Sequence, residues 1–180
     1  MKIKDMLLVS LFTALMAVGA YVRIPFPLLP VTLQPFFCAF AGILLGARLG
    51  ALSQLVYLFL GLAGLPVFTG GGGIGYVLSP SFGFLLGFAA AAYITGLISE
   101  RQKKRSTAGN LAAVLAGLFV IYAVGIPYMY LILAFYLNKP GASLLYTVTA
   151  NLPYAVKDFI LFFIVALSAN PILRLIKRAA

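Results

Sequence analysis

The sequence predicts an all-α integral membrane protein of about six transmembrane helices, with both termini cytoplasmic and a glycine-rich loop folding over the outer face. Three observations carry that prediction: an excess of apolar residues, regularly spaced breaks, and a lopsided placement of cations. Of 180 residues, 63% are hydrophobic and only 9% are charged, with a mean hydropathy of +1.10. Soluble domains run near 45–50% apolar and about 25% charged, so a water-soluble fold of this size has nowhere to hide the surplus. At roughly 20 apolar residues per crossing, the chain holds six or seven spans and no sizeable soluble unit. Residues 1–180 therefore read as one transmembrane domain.

The spans fall near residues 6–22, 34–47, 49–64, 81–99, 110–136 and 144–168, each bounded by polar, Gly or Pro punctuation. The opening Met1-Lys2-Ile3-Lys4-Asp5 imitates a signal peptide, but no small-residue cleavage site stands out before Tyr21-Val22-Arg23. The segment is kept as a first helix. Arg23-Ile24-Pro25-Phe26-Pro27-Leu28-Leu29-Pro30 is too proline-rich for a helix interior. Gly46-Ala47-Arg48-Leu49-Gly50 is a tight turn, residues 64–80 form a glycine-rich apolar loop, residues 100–109 an aqueous loop, and Asn138-Lys139-Pro140-Gly141 a short turn.

With both ends inside, Lys2, Lys4, Arg48, Arg101, Lys103, Lys104, Arg105, Arg174, Lys177 and Arg178 are cytoplasmic. Only Arg23 and Lys139 lie outside, and Lys157 falls within a span. That is the asymmetry of the positive-inside rule; five or seven spans would put the Arg174–Arg178 cluster outside. The same placement accounts for the net charge of +10 by topology and contact with the lipid bilayer, not by nucleic-acid binding. No histidine and only three acids, Asp5, Glu100 and Asp158, are present, too few to assemble a metal site. No cofactor is expected. Cys38 lies in an apolar run and reads as packing.

Asp158 is the first candidate for ligand contact. A charge at membrane depth costs about 2.5–3.5 kcal/mol on insertion scales, so such residues face a cavity or a partner. Asn151-Leu152-Pro153 reads as a helix cap and early proline, which would put Asp158 one to two turns in, near the positive helix end. The competing reading is an ion pair with Lys157, although consecutive helical residues do not naturally face each other. Lys157 itself either lines the same cavity or snorkels to the outer interface.

Three further segments draw notice. Leu65-Pro66-Val67-Phe68-Thr69-Gly70-Gly71-Gly72-Gly73-Ile74-Gly75-Tyr76, running on to Ser79-Pro80-Ser81-Phe82-Gly83-Phe84, lacks the Gly-Lys-Ser/Thr of a nucleotide loop. Its apolar residues favour an inward-folded lid over a merely flexible external loop, because irregular backbone at membrane depth is tolerated where it lines a cavity. Gln34 stands at the outer mouth of the second span, able to serve a ligand amide or its own helix terminus. In the first span Ser10, Ala14 and Ala17 give small residues at close-approach spacing, for a partner or for internal packing.

Pro30-Val31-Thr32-Leu33-Gln34, then residues 61–68 with the glycine run, then residues 79–88 resemble the BioY family in that order and spacing. These are biotin-specific substrate-binding (S) components of energy-coupling-factor (ECF) transporters. The resemblance implies six helices, a vitamin pocket toward the outside, and assembly with a transmembrane coupling subunit and two cytoplasmic ATPases. It also implies that the Ser10/Ala14 face of the first helix meets the coupling subunit, in a bacterial or archaeal cytoplasmic membrane. The family's last-helix acid matches Asp158. Its following lysine is replaced by Leu161, while Lys157 precedes the acid, and the family's Pro-Thr-Gly-Gly-Tyr reads Pro80-Ser81-Phe82-Gly83-Phe84 here.

A ureido ring offers two N–H donors, which an ionised carboxylate accepts together. Asp158 is expected to do this, with apolar walls from Phe68, Tyr76, Phe82 and Phe84. Donors for the ligand's carboxylate would come from the backbone of residues 70–73 (Gly71 among them) or from the hydroxyls of Thr69 and Ser81. The expected function is biotin capture for ATP-driven import. An S component for another heterocyclic vitamin is the alternative. An intramembrane enzyme is disfavoured because one buried acid and one lysine lack the paired groups of acid–base catalysis.

Overall fold

The structure, a computed structural model, describes residues 2–26 and 28–179. Of the residues singled out above, Pro27 and the side chains of Lys177 and Arg178 lie outside that description. Five helices are long and apolar enough to cross a membrane: α1 (Ile3–Tyr21), α2 (Gln34–Leu62), α3 (Phe82–Glu100), α4 (Thr107–Leu131) and α5 (Leu144–Ala179). A π-helical turn, Ile132–Tyr136, extends α4.

Helix α2 is two antiparallel arms. Its Gly46 has φ 84° and ψ −178°, a conformation essentially reserved for glycine. Beyond it the chain runs back on itself. The Gln34 side chain donates to the Tyr57 hydroxyl at 2.9 Å, although 23 residues of straight helix would separate them by roughly 34 Å. The two short spans expected at residues 34–47 and 49–64 are therefore these arms, and the bundle has six membrane segments. Glu100 holds the reversal: the Ala47 N–H donates to its Oε1 at 3.0 Å, satisfying a donor that the new helix start leaves free.

The expected start of the last helix is corrected. Helix α5 begins at Leu144, where the Ser143 hydroxyl accepts from Tyr146 N–H at 3.1 Å. Asn151 is not a cap but lies within α5, 2% exposed, its amide donating to Thr147 O at 2.8 Å and reaching Met129 Sδ of α4 at 3.4 Å. Pro153 is tolerated mid-helix, as prolines in membrane helices often are. Asp158 thus sits about four turns in, away from the positive helix end.

Two ends of the bundle are distinct. Arg48, the 101–105 loop and Arg174 gather at one end, where Arg105 donates to Ile43 O at 3.3 Å and Asn110 to Asn170 at 2.9 Å. Arg23 lies at the other, bonded to Thr69 O. The proline-rich segment there forms a small antiparallel ribbon, β1 (Arg23–Ile24) with β2 (Val31–Thr32). Between the ends the core packs Met16, Ile43, Tyr57, Phe88, Val114 and Phe162.

The 64–80 loop folds inward. Gly73 N–H donates to Gly61 O at 2.7 Å, Tyr57 to Val67 O at 2.9 Å, and Tyr21 and Tyr128 hold Pro66 O and Val77 O. Residues Ile74–Leu78 make a 3-10 turn. On α1, Ser10 and Ala14 are exposed and Ala17 is half-buried, so the internal-packing reading does not apply to the first two. The three line a shallow apolar groove with Val56, Leu60 and Val67 of α2 and the loop.

Candidate functional site

A cavity opens at the outer end, between the start of α2, α3, α4 and α5 and beneath the two outer loops. Asp158, Lys157, Gln34, Thr69, Tyr76, Ser81 and Phe84 all line it. Seven of the ten expected ligand contacts are therefore brought together, from parts of the chain as far apart as residues 34 and 158. Phe68 is not among them. It is 2% exposed, seated on Gly61 and edge-on to Tyr57 with centroids 5.4 Å apart; it backs Tyr76 at 4.6 Å. Gly71 is also withdrawn, paired with Phe68 in a tight turn whose N–H groups and carbonyls bond each other at 2.9 and 3.2 Å. With Gly71 donating to Phe68 O and Gly73 to Gly61 O of α2, their amides are not free for an anion. Phe82 packs beside Tyr128 and does not line the cavity.

Asp158 lies at the inner wall, 4% exposed. Its Oδ2 accepts from Tyr122 on α4 at 2.7 Å. Lys157 forms a close ion pair with Oδ1, so each carboxylate oxygen has one protein partner. The ion-pair reading and the cavity reading thus both hold: Lys157 bends round to the acid while lining the cavity. Its ammonium also donates to Thr32 O at 2.9 Å, which ties α5 to the ribbon rather than letting it snorkel. Each carboxylate oxygen has two lone-pair directions, so Asp158 retains acceptor capacity toward the cavity.

The outer wall is a relay of hydroxyls. Thr69 and Tyr76 are 2.9 Å apart, Tyr76 and Ser81 3.0 Å, and Ser81 and Ser79 2.9 Å. Apolar faces come from Phe84, which meets Tyr122 edge-on at 5.8 Å, and from Leu85 and Phe88. Toward solvent the cavity shares Leu29, Pro30, Thr69, Tyr76 and Ser81 with a wider vestibule that includes Arg23, Gly70 and Gly72.

Sequence reasoning did not single out four contributors. Tyr122 stood in an uninterrupted apolar span, and only its facing of Asp158 across helices gives it a role. Tyr154 exchanges hydrogen bonds with Leu29 backbone at 2.7 and 2.9 Å, fixing the proline loop as a roof. Asn151 was read as a cap. Arg23 was read only as an outside cation.

Residues 1–178 match the BioY family. The chain belongs to the BioY family. Within it, the chain is 43% identical over 175 residues to the probable biotin transporter BioY of Lysinibacillus sphaericus, covering 97% of this chain and 89% of that one. It is 41% identical over 124 residues to the biotin transporter BioY of Thermotoga maritima, covering 68% and 72%. Among solved structures it is similar to the S-component for biotin from an ECF-type ABC transporter, with a TM-score of 0.83, 26% identity, and 96% and 92% of the two chains covered. The BioY resemblance in the loop and helix motifs therefore extends to the whole sequence and the whole fold. Where the family places a lysine after its acid, Leu161 packs against the core, and Lys157 reaches the cavity from the preceding position.

Proposed function

We propose that this chain is the biotin-binding subunit of an ECF-type uptake transporter, a multi-pass protein of the cytoplasmic membrane that captures biotin from outside. Residues 1–180 act as one substrate-binding domain. Import is driven by partner subunits, a transmembrane coupling protein and two cytoplasmic ATPases, and the exposed Ser10–Ala14 face of α1 is the surface offered to the coupling protein. The chain acts as a carrier, not an enzyme.

One observation supports this reading above the rest: a buried carboxylate with spare lone-pair capacity at the wall of a largely apolar outer cavity. A cyclic urea suits it, since one of its ring N–H groups donates to an Asp158 oxygen as a charge-assisted hydrogen bond. Lys157 and the Gln34 amide are the donors nearest for the urea oxygen. The thioether ring and aliphatic chain lie against Phe84, Leu85 and Phe88. The chain then runs to the vestibule, where Thr69, Ser81 and Arg23 receive the carboxylate.

The test is equilibrium binding of labelled biotin to the purified, detergent-solubilised chain, with competition by a panel of heterocyclic vitamins. Tight binding displaced by biotin and not by thiamine or riboflavin is expected. Displacement by another vitamin at lower concentration than biotin would transfer the assignment to that vitamin.

A further inference from the structure

The cation-rich end carries a second concavity, independent of the outer cavity. Gln102, Lys103, Lys104 and Arg105 from the α3–α4 connection face Asn170 and Arg174 of α5 across about 930 Å³ of open space. Positive loops need no pocket to satisfy topology, so its construction calls for a separate explanation. Its floor is fixed from below. Asn110, fully buried, donates to Asn170 Oδ1 at 2.9 Å and accepts from Gln102 at 3.5 Å. Gln102 Oε1 in turn accepts from Ser106 N–H at 3.3 Å, and Arg105 is anchored on Ile43 O. The two amides are thus held in place beneath four cations.

Those cations have no acidic partner. The chain has three acids; the one ion pair among the described residues is Lys157–Asp158, and Glu100 is turned to Ala47 N–H. Four cations converging without a counter-charge repel one another until an anion enters. The groove also has an apolar side. Leu173 lines it, and Leu167, two turns deeper on the same face of α5 as Arg174, is 50% exposed. That combination of cationic rim and exposed apolar flank, at the level where helices leave the bilayer, suits a phosphate carrying acyl chains.

We propose that the groove between the 101–105 connection and the end of α5 seats the phosphate of an anionic phospholipid headgroup, with its acyl chains running toward the bilayer along Leu173 and Leu167. Basic pockets between membrane helices on the cytoplasmic side take such headgroups, and phosphate accepts from arginine in a bidentate fashion. Bound there, the lipid bridges α5 to the α3–α4 connection and neutralises the repulsion between them.

Native mass spectrometry of the full chain in detergent tests the site, using dioctanoyl phosphatidylglycerol, dioctanoyl phosphatidylcholine and inorganic phosphate as probes. The wild type is expected to prefer phosphatidylglycerol over phosphatidylcholine by about tenfold or more. The variant Lys103→Gln/Lys104→Gln/Arg174→Gln should fall to near parity. The loop-only variant Lys103→Gln/Lys104→Gln, whose exposed positions leave the fold untouched, should lose about threefold. Lys2→Gln/Lys4→Gln/Arg48→Gln removes three cations from the same rim but outside the groove, and should keep the preference. Equal loss in that control would overturn the pocket in favour of diffuse surface charge. Displacement of the lipid by inorganic phosphate at equal concentration would overturn the lipid in favour of a soluble anion.

Discussion

Buried polar side chains occur at both ends of this helix bundle, and the two ends use them differently. Toward the cation-rich end, Thr13 donates to Ser53 O at 3.0 Å, Asn110 meets Asn170, and Glu100 holds Ala47 N–H. These bonds join helix to helix and are complete within the protein. Toward the other end, Asp158, Lys157, Gln34 and Tyr76 surround open space. Unfilled acceptors among the described residues are neutral and lie away from the cavity, Gln54 Oε1 and Ser99 Oγ, whereas Asp158 is charged, paired and lines the outer cavity. Burial of a polar group is thus shared by packing and by binding. What separates the two ends is a buried ion pair that lines open space.

The largest effect that tests this contrast is Asp158→Asn. A charge-assisted hydrogen bond, at roughly 1.5–3 kcal/mol, gives way to one with a neutral amide, and Lys157 loses its counter-ion. Biotin affinity should fall by about ten- to a hundredfold, measured by titration calorimetry. Ser99→Ala, which removes an unfilled acceptor from the closed end, should leave affinity unchanged. Equal losses in the two variants would erase the distinction between the regions.

The inner region should respond in stability instead. Gly46→Ala forces a Cβ into a backbone region of positive φ, and that Cβ would stand 2.0 Å from Glu100 Oε1. Strain of this kind costs of order 1–3 kcal/mol, and displacement of the Glu100 cap adds about 1 kcal/mol. The unfolding midpoint in detergent should drop clearly, while the folded fraction binds biotin with the wild-type dissociation constant. A change in that constant without a change in midpoint would show that the reversal at Gly46 serves the site and not the scaffold.

The same division explains what could be read from the sequence. Membrane spans were legible because twenty apolar residues and a proline or glycine break are local signals, and charge asymmetry fixed their parity. Asp158 was legible because one acid in an apolar span is anomalous by itself. Tyr122 was not, because a tyrosine among apolar residues is ordinary until another helix sets a carboxylate opposite it. Asn151 misled: asparagine before a proline imitates a cap, and only the packing of α5 on α4 shows its amide turned to Thr147 O and Met129. Phe68 and Gly71 belong to the right loop but serve its fold, since the loop needs its own core and turn before Thr69 and Tyr76 can face the cavity.

Tyr122→Phe isolates the missed contact. The ring keeps its edge-on packing with Phe84, and only the hydroxyl on Asp158 Oδ2 is lost. One hydrogen bond to a charged group corresponds to about a tenfold change in equilibrium. Affinity should weaken by about that factor if the hydroxyl orients the carboxylate. Tighter binding would mean instead that Tyr122 competes with the ligand for Oδ2.

Arg23→Gln should give the smallest effect. Arg23 stands in the open vestibule, where salt screens its field, and its guanidinium is already bonded to Thr69 O. Rim charges act mostly on the rate of encounter, so the association rate should fall about three- to fivefold at low ionic strength and converge with wild type at high salt. Biotinamide, which has the same ring and no charge, separates two causes. If Arg23 attracts the carboxylate, the variant and the wild type should bind biotinamide alike. If both ligands lose equally, Arg23 works by holding the 64–80 loop through Thr69, and the outer end then contains a bond of the inner kind, spent on structure and closed to the ligand.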